Sequence, residues 1–478
     1  MKFAALCGFV QTRRAHINHS DTMPRLSRRS FLAGSTALMA APALRPARAQ
    51  ASVDAVVVGA GAAGIAAARH LRAGKARVTV FEASARVGGR CVTDTASLGL
   101  PFDLGAHWIR EPGSNPLVGA VAGAGFDIYR APLGQTMRIG RRDARAAELE
   151  AFLSLLVRSR RAIEEAGRKR DVAAASVLPD NLGAWRQTIE FALGPYVCGK
   201  PLTGVSAEDL AHASTRDIAA FCRQGYGALL ASLAAGVHVE LSDPVTKLVW
   251  DRHGVDVYTA KGHLRAYTAI VTASTNVLGK LEFKPALPSR YLEAWDNLAL
   301  GSYDHVGLIM PGNPLGLQRD DLVFEQATGE RTAALLANVS GTDLHVVELA
   351  GETGRELSAQ GEAAMVEFAR DWLAGLFGNS VKDAITRSRA TRWNQEPWVL
   401  GAMSAAKPGN ADARRLLMRP IGRRIWFAGE AVHESKWGTV AGAWEAGERA
   451  AHAALDRMGM LKKPKPERPA RSRRRRRR

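Results

Sequence analysis

The sequence predicts an α/β fold: a doubly wound parallel sheet joined to a mixed α/β domain that carries a helical insertion. Three observations predict it. The short, β-branched run Ala55 to Val58 ends in the turn Gly59-Ala60-Gly61-Ala62-Ala63-Gly64, the stretch Ala62 to Leu71 has helical character, and a second β-run from Arg77 to Phe81 ends at Glu82. Strand, tight turn, helix and strand in that order form the repeating unit of a parallel sheet covered by helices.

The turn residues have separate tasks. Gly59 permits the tight turn, Gly61 lets the backbone approach a pyrophosphate, and Gly64 lets helix and strand pack closely, leaving phosphate at the positive helix N-terminus. Glu82, eighteen residues beyond Gly64, stands where a carboxylate accepts hydrogen bonds from ribose hydroxyls, which disfavours a 2′-phosphorylated ligand. A Gly-x-Gly-x-x-Gly turn alone is equally explained as a structural loop. With strand, helix and acid in register, it specifies a dinucleotide-binding, Rossmann-like start.

At 478 residues the chain exceeds one ordinary core, so two domains are expected. Its net charge of +19 is divided unevenly: residues 1–49 contribute +7 and residues 462–478 contribute +10, leaving +2 on the body. The body therefore offers no electrostatic reason to bind nucleic acid. The stretch Ser27-Arg28-Arg29-Ser30-Phe31-Leu32, an apolar run to about Leu44 and Ala47-Arg48-Ala49 resemble a twin-arginine export signal with its cleavage site. That apolar run is shorter than the roughly twenty residues that span a bilayer. A periplasmic or secreted location through the twin-arginine export machinery follows as an expectation, with Met23 as an alternative start. The tail from Lys462 to Arg478 has no apolar residue able to support a core and is expected to be disordered, a solvated charge run or one that touches anionic surfaces.

Four cysteines are present, and Cys7 precedes the expected mature start, leaving Cys91, Cys198 and Cys222. Three cannot all pair internally. Cys198 with Cys222 is a possible bridge and three buried thiols the default, while the lack of any Cys-x-x-Cys or Cys/His cluster speaks against a metal.

Further along, Phe102 to Ile109 reads as strand and turn, residues 140–235 as a helical insertion, and Val237–Leu241, Lys247–Trp250, Val255–Thr259 and Ala269–Thr272 as a returning set of strands. Arg424 to Glu430 is another buried strand ending in glycine, and Gly442 to Met458 a closing helix. The expected partition is a signal region at 1–50, a discontinuous nucleotide domain at 51–110, 236–290 and 395–460, a substrate domain at 111–235 and 291–394, and a basic tail at 461–478.

Four separated blocks carry a resemblance. They are the Gly59 to Gly64 turn with Glu82, the segment Arg86-x-Gly88-Gly89-Arg90, Gly105-Ala106-His107-Trp108, and Phe427-Ala428-Gly429-Glu430 with Gly438-Thr439-Val440-Ala441-Gly442-Ala443. Together with Gln224-Gly225-Tyr226-Gly227 and Pro244-Val245-Thr246, they make the chain resemble the flavin-containing amine oxidase family from about residue 53 to residue 456. The resemblance implies FAD as cofactor. It places Glu82 at the adenosine ribose, Arg90 with the Gly88-Gly89 backbone near pyrophosphate and flavin, Val245 beside adenine, and Glu430 on the ribityl-pyrophosphate side. Gly105, Ala106, His107, Trp108, Gly429, Thr439 and Val440 complete the expected cofactor contacts. Trp108, Trp393 and Trp437 are candidates to wall the flavin ring, with ordinary core packing as the competing explanation. Ala402 stands where covalent members carry a cysteine, so the FAD is expected to be non-covalent.

The implied reaction is hydride transfer from a carbon bearing an amine nitrogen to flavin N5, giving an imine that water hydrolyses. Its partners are a small-molecule amine and oxygen or another electron acceptor, and its rate is expected to rise as the amine loses its proton. The candidate catalytic residues are His305, Trp393, Trp437 and Thr439. His305 stands where most members have a lysine, and a neutral imidazole there implies slower reaction with oxygen. Met403 and Thr439 occupy the positions of the paired tyrosines of monoamine oxidases, and Thr439 with Gly105 to Ile109 is closer to polyamine oxidases. Arg110 is the counter-signal: a cation repels a polycation, and it either binds a substrate carboxylate or pairs with Glu111. Amino-acid oxidation, C–C desaturation and a catalytically silent flavoprotein are the alternatives.

Overall fold

A computed structural model describes residues 53–132, 134–214 and 218–461. The expected export signal, Cys7 and the basic tail lie outside the described residues. The first strand, β1 (Val53–Val58), is buried from Ala55 onward because it lies between two parallel neighbours in the middle of a sheet that is mixed rather than wholly parallel, Val255–Thr259 pairing antiparallel within it. It leads into helix α1 (Ala62–Ala73), which returns the chain to β2 (Val78–Phe81) beside β1. On the other side of β1 lies β3 (Gly262–Val271). The whole sheet has eight strands, and the path through seven runs Val239–Glu240, β2, β1, β3, Val255–Thr259, Val245–Trp250 and Glu282–Lys284. Ile425–Phe427 adds to β3 in parallel, so distant parts of the chain meet in one sheet. The strand expected at Ala269–Thr272 is longer than its apolar stretch, because Gly262 to Ala266 pair as a hairpin with Val255–Thr259.

Helix α1 packs against the last helix, α2 (Val440–Met458), through alanines. Ala63, Ala67 and Ala68 share one buried cluster with Ala446, Ala450, Ala451 and Ala454, to which Leu71 and Leu455 add. Such small faces let backbones approach. A Cβ on Gly447 would lie 2.1 Å from the Ala63 carbonyl oxygen, and one on Gly64 would lie 1.9 Å from the Gly59 carbonyl oxygen.

The second sheet has seven strands and forms the floor of the other half. It contains β4 (Tyr303–Ile309) paired antiparallel with β5 (Leu344–Ala350), and both are buried throughout. Their outer side is covered by helix Glu362–Phe377, which contributes Met365, Ala369, Trp372 and Leu373 to that core. Helix Ala146–Gly167 and the shorter helices between Arg186 and Ser232 form the helical segment read from the sequence, interrupted by strand Ala219–Cys222. Cys91, Cys198 and Cys222 are buried thiols, so the bridge between Cys198 and Cys222 is not formed. Among the described residues no helix is long and apolar enough to cross a membrane.

The contact between α1 and α2 gives a direct test. Gly447→Ala must push the helices apart against backbone and is expected to cost about 1–3 kcal/mol. Gly375→Ala, on an exposed helical position with nothing within 4 Å of the added carbon, is expected to be neutral or stabilising. Thermal melting of the two variants beside the parent checks both.

Candidate functional site

A cleft runs between the two sheets, and most of the residues singled out from the sequence line it. At one end stand Gly59, Gly61, Glu82, Gly88 and Gly89. Glu82 closes the end of β2. Its Oε2 accepts from the Ala60 amide at 2.6 Å and its Oε1 from the amide and hydroxyl of Ser84, both at 2.8 Å, which fixes the carboxylate across the glycine turn.

The glycines of that turn separate by what surrounds them. Gly59 has φ +101° and no room beside Thr272, whereas a Cβ on Gly61 would meet nothing nearer than the Gly89 Cα at 3.8 Å. Packing therefore does not demand glycine at 61. The open space is a cradle facing the cleft at the start of α1, the arrangement that receives a pyrophosphate. Gly64 differs from its expected place among the cofactor contacts: it does not line the cleft and serves the packing of α1 onto the strand end.

Midway along the cleft, Arg90 donates to Glu430 at 2.9 Å. Burial alone would raise the Glu430 carboxyl, but the Arg90 and Arg414 guanidinium groups and its hydrogen bonds to Ser404 and Gly438 hold it below the usual range. Glu430 accepts from the Ser404 hydroxyl at 2.7 Å and the Gly438 amide at 2.8 Å. Behind it Arg414 makes two hydrogen bonds to Asp209, at 2.6 and 2.8 Å, and one to the Ser404 hydroxyl at 3.0 Å. Thr439 caps α2, accepting from the Gly442 amide at 3.0 Å, and Val440 begins the helix, so the positive end of α2 opens on the cleft. Val245, Gly105, Ala106 and Gly429 also line it.

Trp437 is corrected by the structure. It is fully buried and absent from the cleft wall; its ring lies under the Arg414 guanidinium at 4.7 Å and its indole nitrogen donates to the Asp209 carbonyl at 3.2 Å. The next residues, Gly438 and Thr439, turn to the cleft instead. Trp108 and Trp393 do line it, and the Trp393 indole donates to the Leu104 carbonyl at 2.8 Å. Asp304 holds the Trp393 loop by accepting from the Trp393 amide at 2.7 Å and the Thr391 hydroxyl at 3.0 Å.

The far end is aromatic. Alternation along β4 directs Tyr303 and His305 into the cleft, where Tyr196, Met403, Ala402, His107 and Arg110 join them. Arg110 lies over the Trp108 ring at 4.7 Å. His305 Nδ1 is 3.0 Å from the Asp103 carbonyl, which can only accept, so that nitrogen carries the proton. Burial, reinforced by the neighbouring His107, pushes the His305 pKa down to about 4. Sequence reasoning missed Glu348, which the β4–β5 register sets directly opposite His305 on the same face. Its one signal was a carboxylate inside the mostly apolar run Leu344 to Ala350, which also holds His345. Tyr196 and the buried pair Asp209 and Arg414 were missed as well.

A family model described as flavin-containing amine oxidoreductase matches residues 62–455. The chain belongs to that family. FAD is its cofactor, and the open cradle at Gly61, the carboxylate at Glu82 and the cationic and helix-end groups at Arg90 and Val440 fit that molecule. The chain is 26% identical to polyamine oxidase 2 of Arabidopsis thaliana, over 86% of this chain and 90% of that one. It is 24% identical to lysine-specific histone demethylase 2 of Homo sapiens over 83% of this chain, and spans only about half, 52%, of that relative's length. Two solved structures share its fold. Cyclohexylamine oxidase from Brevibacterium oxydans superposes with TM-score 0.73 at 22% identity, covering 85% of this chain and 99% of that one. Putrescine oxidase bound to putrescine gives 0.72 at 19%, with 84% and 99% covered.

Buried neutral histidines make the stability of this protein depend on acid. Burial pushes His345, inside β5, down to about 4, as it does His305. An unfolded histidine titrates near 6.5, so this stability is full above about pH 6.5 and lost as the pH falls toward 4, on the order of 3 kcal/mol per histidine. Melting temperatures measured from pH 7.5 to 4.5 should fall accordingly, and His345→Gln should flatten the fall.

Proposed function

We propose that this chain is an FAD-dependent oxidoreductase of small amines, removing hydride from the carbon that bears nitrogen and releasing the product after hydrolysis of the imine. The observation that carries the reading is one cleft with a dinucleotide cradle at one end and, at the other, the aromatic pocket of Trp108, Tyr196, Tyr303 and Trp393. Bound FAD supplies the hydride acceptor, and the chain supplies position and environment. Trp393 is fixed by Leu104 and Asp304 and gives a flat apolar wall. Tyr196 and Tyr303 give a second apolar surface; burial, reinforced by the charge of Glu348, pushes both phenols well above their usual range, so they stay protonated. A bound amine is thereby held away from bulk water in a restricted set of orientations, which is the larger part of what such a transfer requires.

The polyamine oxidase and putrescine oxidase likenesses support a polyamine or diamine among the candidate substrates, and the cyclohexylamine oxidase likeness a monoamine. A second reading, oxidation of an amino acid, is favoured by Arg110, a cation in the cleft wall over Trp108. Ala402 in the cleft wall supports a non-covalent cofactor. Export by the twin-arginine route and contact of the basic tail with anionic surfaces belong to the same proposal, on the residues 27–32 and 462–478 alone.

Anaerobic absorbance of the yellow protein titrated with spermidine, putrescine, cyclohexylamine and amino acids tests the reading. Bleaching by one class identifies it, and a yellow protein that none of them bleaches sinks amine oxidation. Acid precipitation should leave a colourless pellet.

The neutral His305 sets a further expectation. Without a cation at that position, oxygen gains little electrostatic help as it takes up charge, so reduced enzyme should reoxidise slowly in air and transfer electrons better to an artificial acceptor. Stopped-flow mixing with air-saturated buffer measures this, and His305→Lys is expected to speed reoxidation by about tenfold or more.

A further inference from the structure

Glu348 is fully buried. The Nε2 of His107 lies 3.0 Å from Oε1, at ion-pair distance. One ring nitrogen each from His107 and His305 and a Glu348 oxygen lie within 4.8 Å of one another. The His107 imidazole and the phenols of Tyr196 and Tyr303 are the donors that surround it, and a buried carboxylate is ionised only where such groups or a cation stabilise it. Burial would raise the Glu348 carboxyl, but the hydrogen bonds from the His107 imidazole and the Tyr303 phenol hold it below its ordinary value, as an anion.

The groups around this anion divide by what they can do with a proton. His305 has its Nδ1 proton committed to Asp103 and stays neutral. Tyr196 and Tyr303, which face Glu348 from the helical segment and from β4, hold their protons. Asp103 lies behind, accepting from the Thr93 hydroxyl and the Tyr226 amide at 2.5 and 2.9 Å, and Arg110 is permanently charged. His107 remains. It lines the cleft, whereas Glu348 does not, and with Nε2 turned to Glu348 its Nδ1 is the nitrogen left for a ligand.

An amine arrives from water as an ammonium ion and must become neutral before its carbon can give up hydride. We propose that His107, supported by Glu348, takes that proton inside the cleft. An N–H bond of the ammonium breaks with its electron pair left on the amine nitrogen, an N–H bond forms at His107, and the resulting imidazolium pairs with the Glu348 carboxylate. His107 is the catalytic residue and Glu348 a positioning residue that acts through it. The inference rests on the amine-oxidising reading.

Proton counting tests it without turnover. The oxidised holoenzyme is titrated calorimetrically at pH 7.5, in two buffers of different ionisation enthalpy, with 1-methylcyclohexylamine, which has no hydrogen on its nitrogen-bearing carbon. The parent protein should take up the ammonium with no net proton release, and Glu348→Gln should release about one proton per amine bound. Equal release from the two proteins overturns the proposal. If Glu348→Gln does not fold or the probe does not bind, the parent protein decides alone. Anaerobic flavin reduction that persists a full pH unit below the amine's own pKa supports the proposal, and reduction that follows the amine's pKa overturns it. If no amine reduces the flavin at any pH, amine oxidation itself is removed, an outcome distinct from either of these.

Discussion

The buried guanidinium of Arg414 joins parts of the chain that otherwise have no reason to stay together. It pairs with Asp209 of the helical segment, donates to the Ser404 hydroxyl, and through Ser404 reaches Glu430 and Arg90 at the cleft. Trp437 closes the group from the other side. A charge held this deep is tolerable only when every donor is occupied, and loss of one partner from such a pair costs about 3–5 kcal/mol. The polar spine of the cleft therefore has little freedom to rearrange, and the position of Arg90 follows from a residue more than three hundred places away.

The two halves of the cleft solve different problems. Near Gly61 the protein leaves space beside backbone, a device that recognises phosphate through shape and amide dipoles. Near His305 it fills space with rings and sets two titratable strands side by side. The β4–β5 register is what makes that second half chemical: a one-residue slip would carry His305 and Glu348 to opposite faces.

The legible and illegible parts of this site divide along the same line. Gly59, Gly61 and Glu82 act within one local strand–turn–helix unit, so their spacing along the chain carries their meaning. The helices α1 and α2 were readable for the same reason, although α2 starts at Val440, two residues before the expected Gly442, and α1 runs on to Ala73. Glu348 was not, because its importance comes from pairing with a residue forty-three positions earlier, and a single glutamate in a valine-rich run has no local signature of a site. Trp437 was misplaced for a related reason. Its motif neighbours face the cleft, but its own partners, Asp209 and Arg414, come from elsewhere in the chain. The length of β3 escaped the apolar pattern because a hairpin pairs backbone whatever the side chains are.

The sheet that holds the glycine turn takes its strands from residues 53–81, 239–284 and 425–427, and α1 is covered by a helix that ends at Met458. A chain emerging from the ribosome thus presents its nucleotide turn first and the helix that braces it last. The turn is braced only when these two segments have folded on one another, so capture of the cofactor depends on residues 53–81 and 440–458 having met.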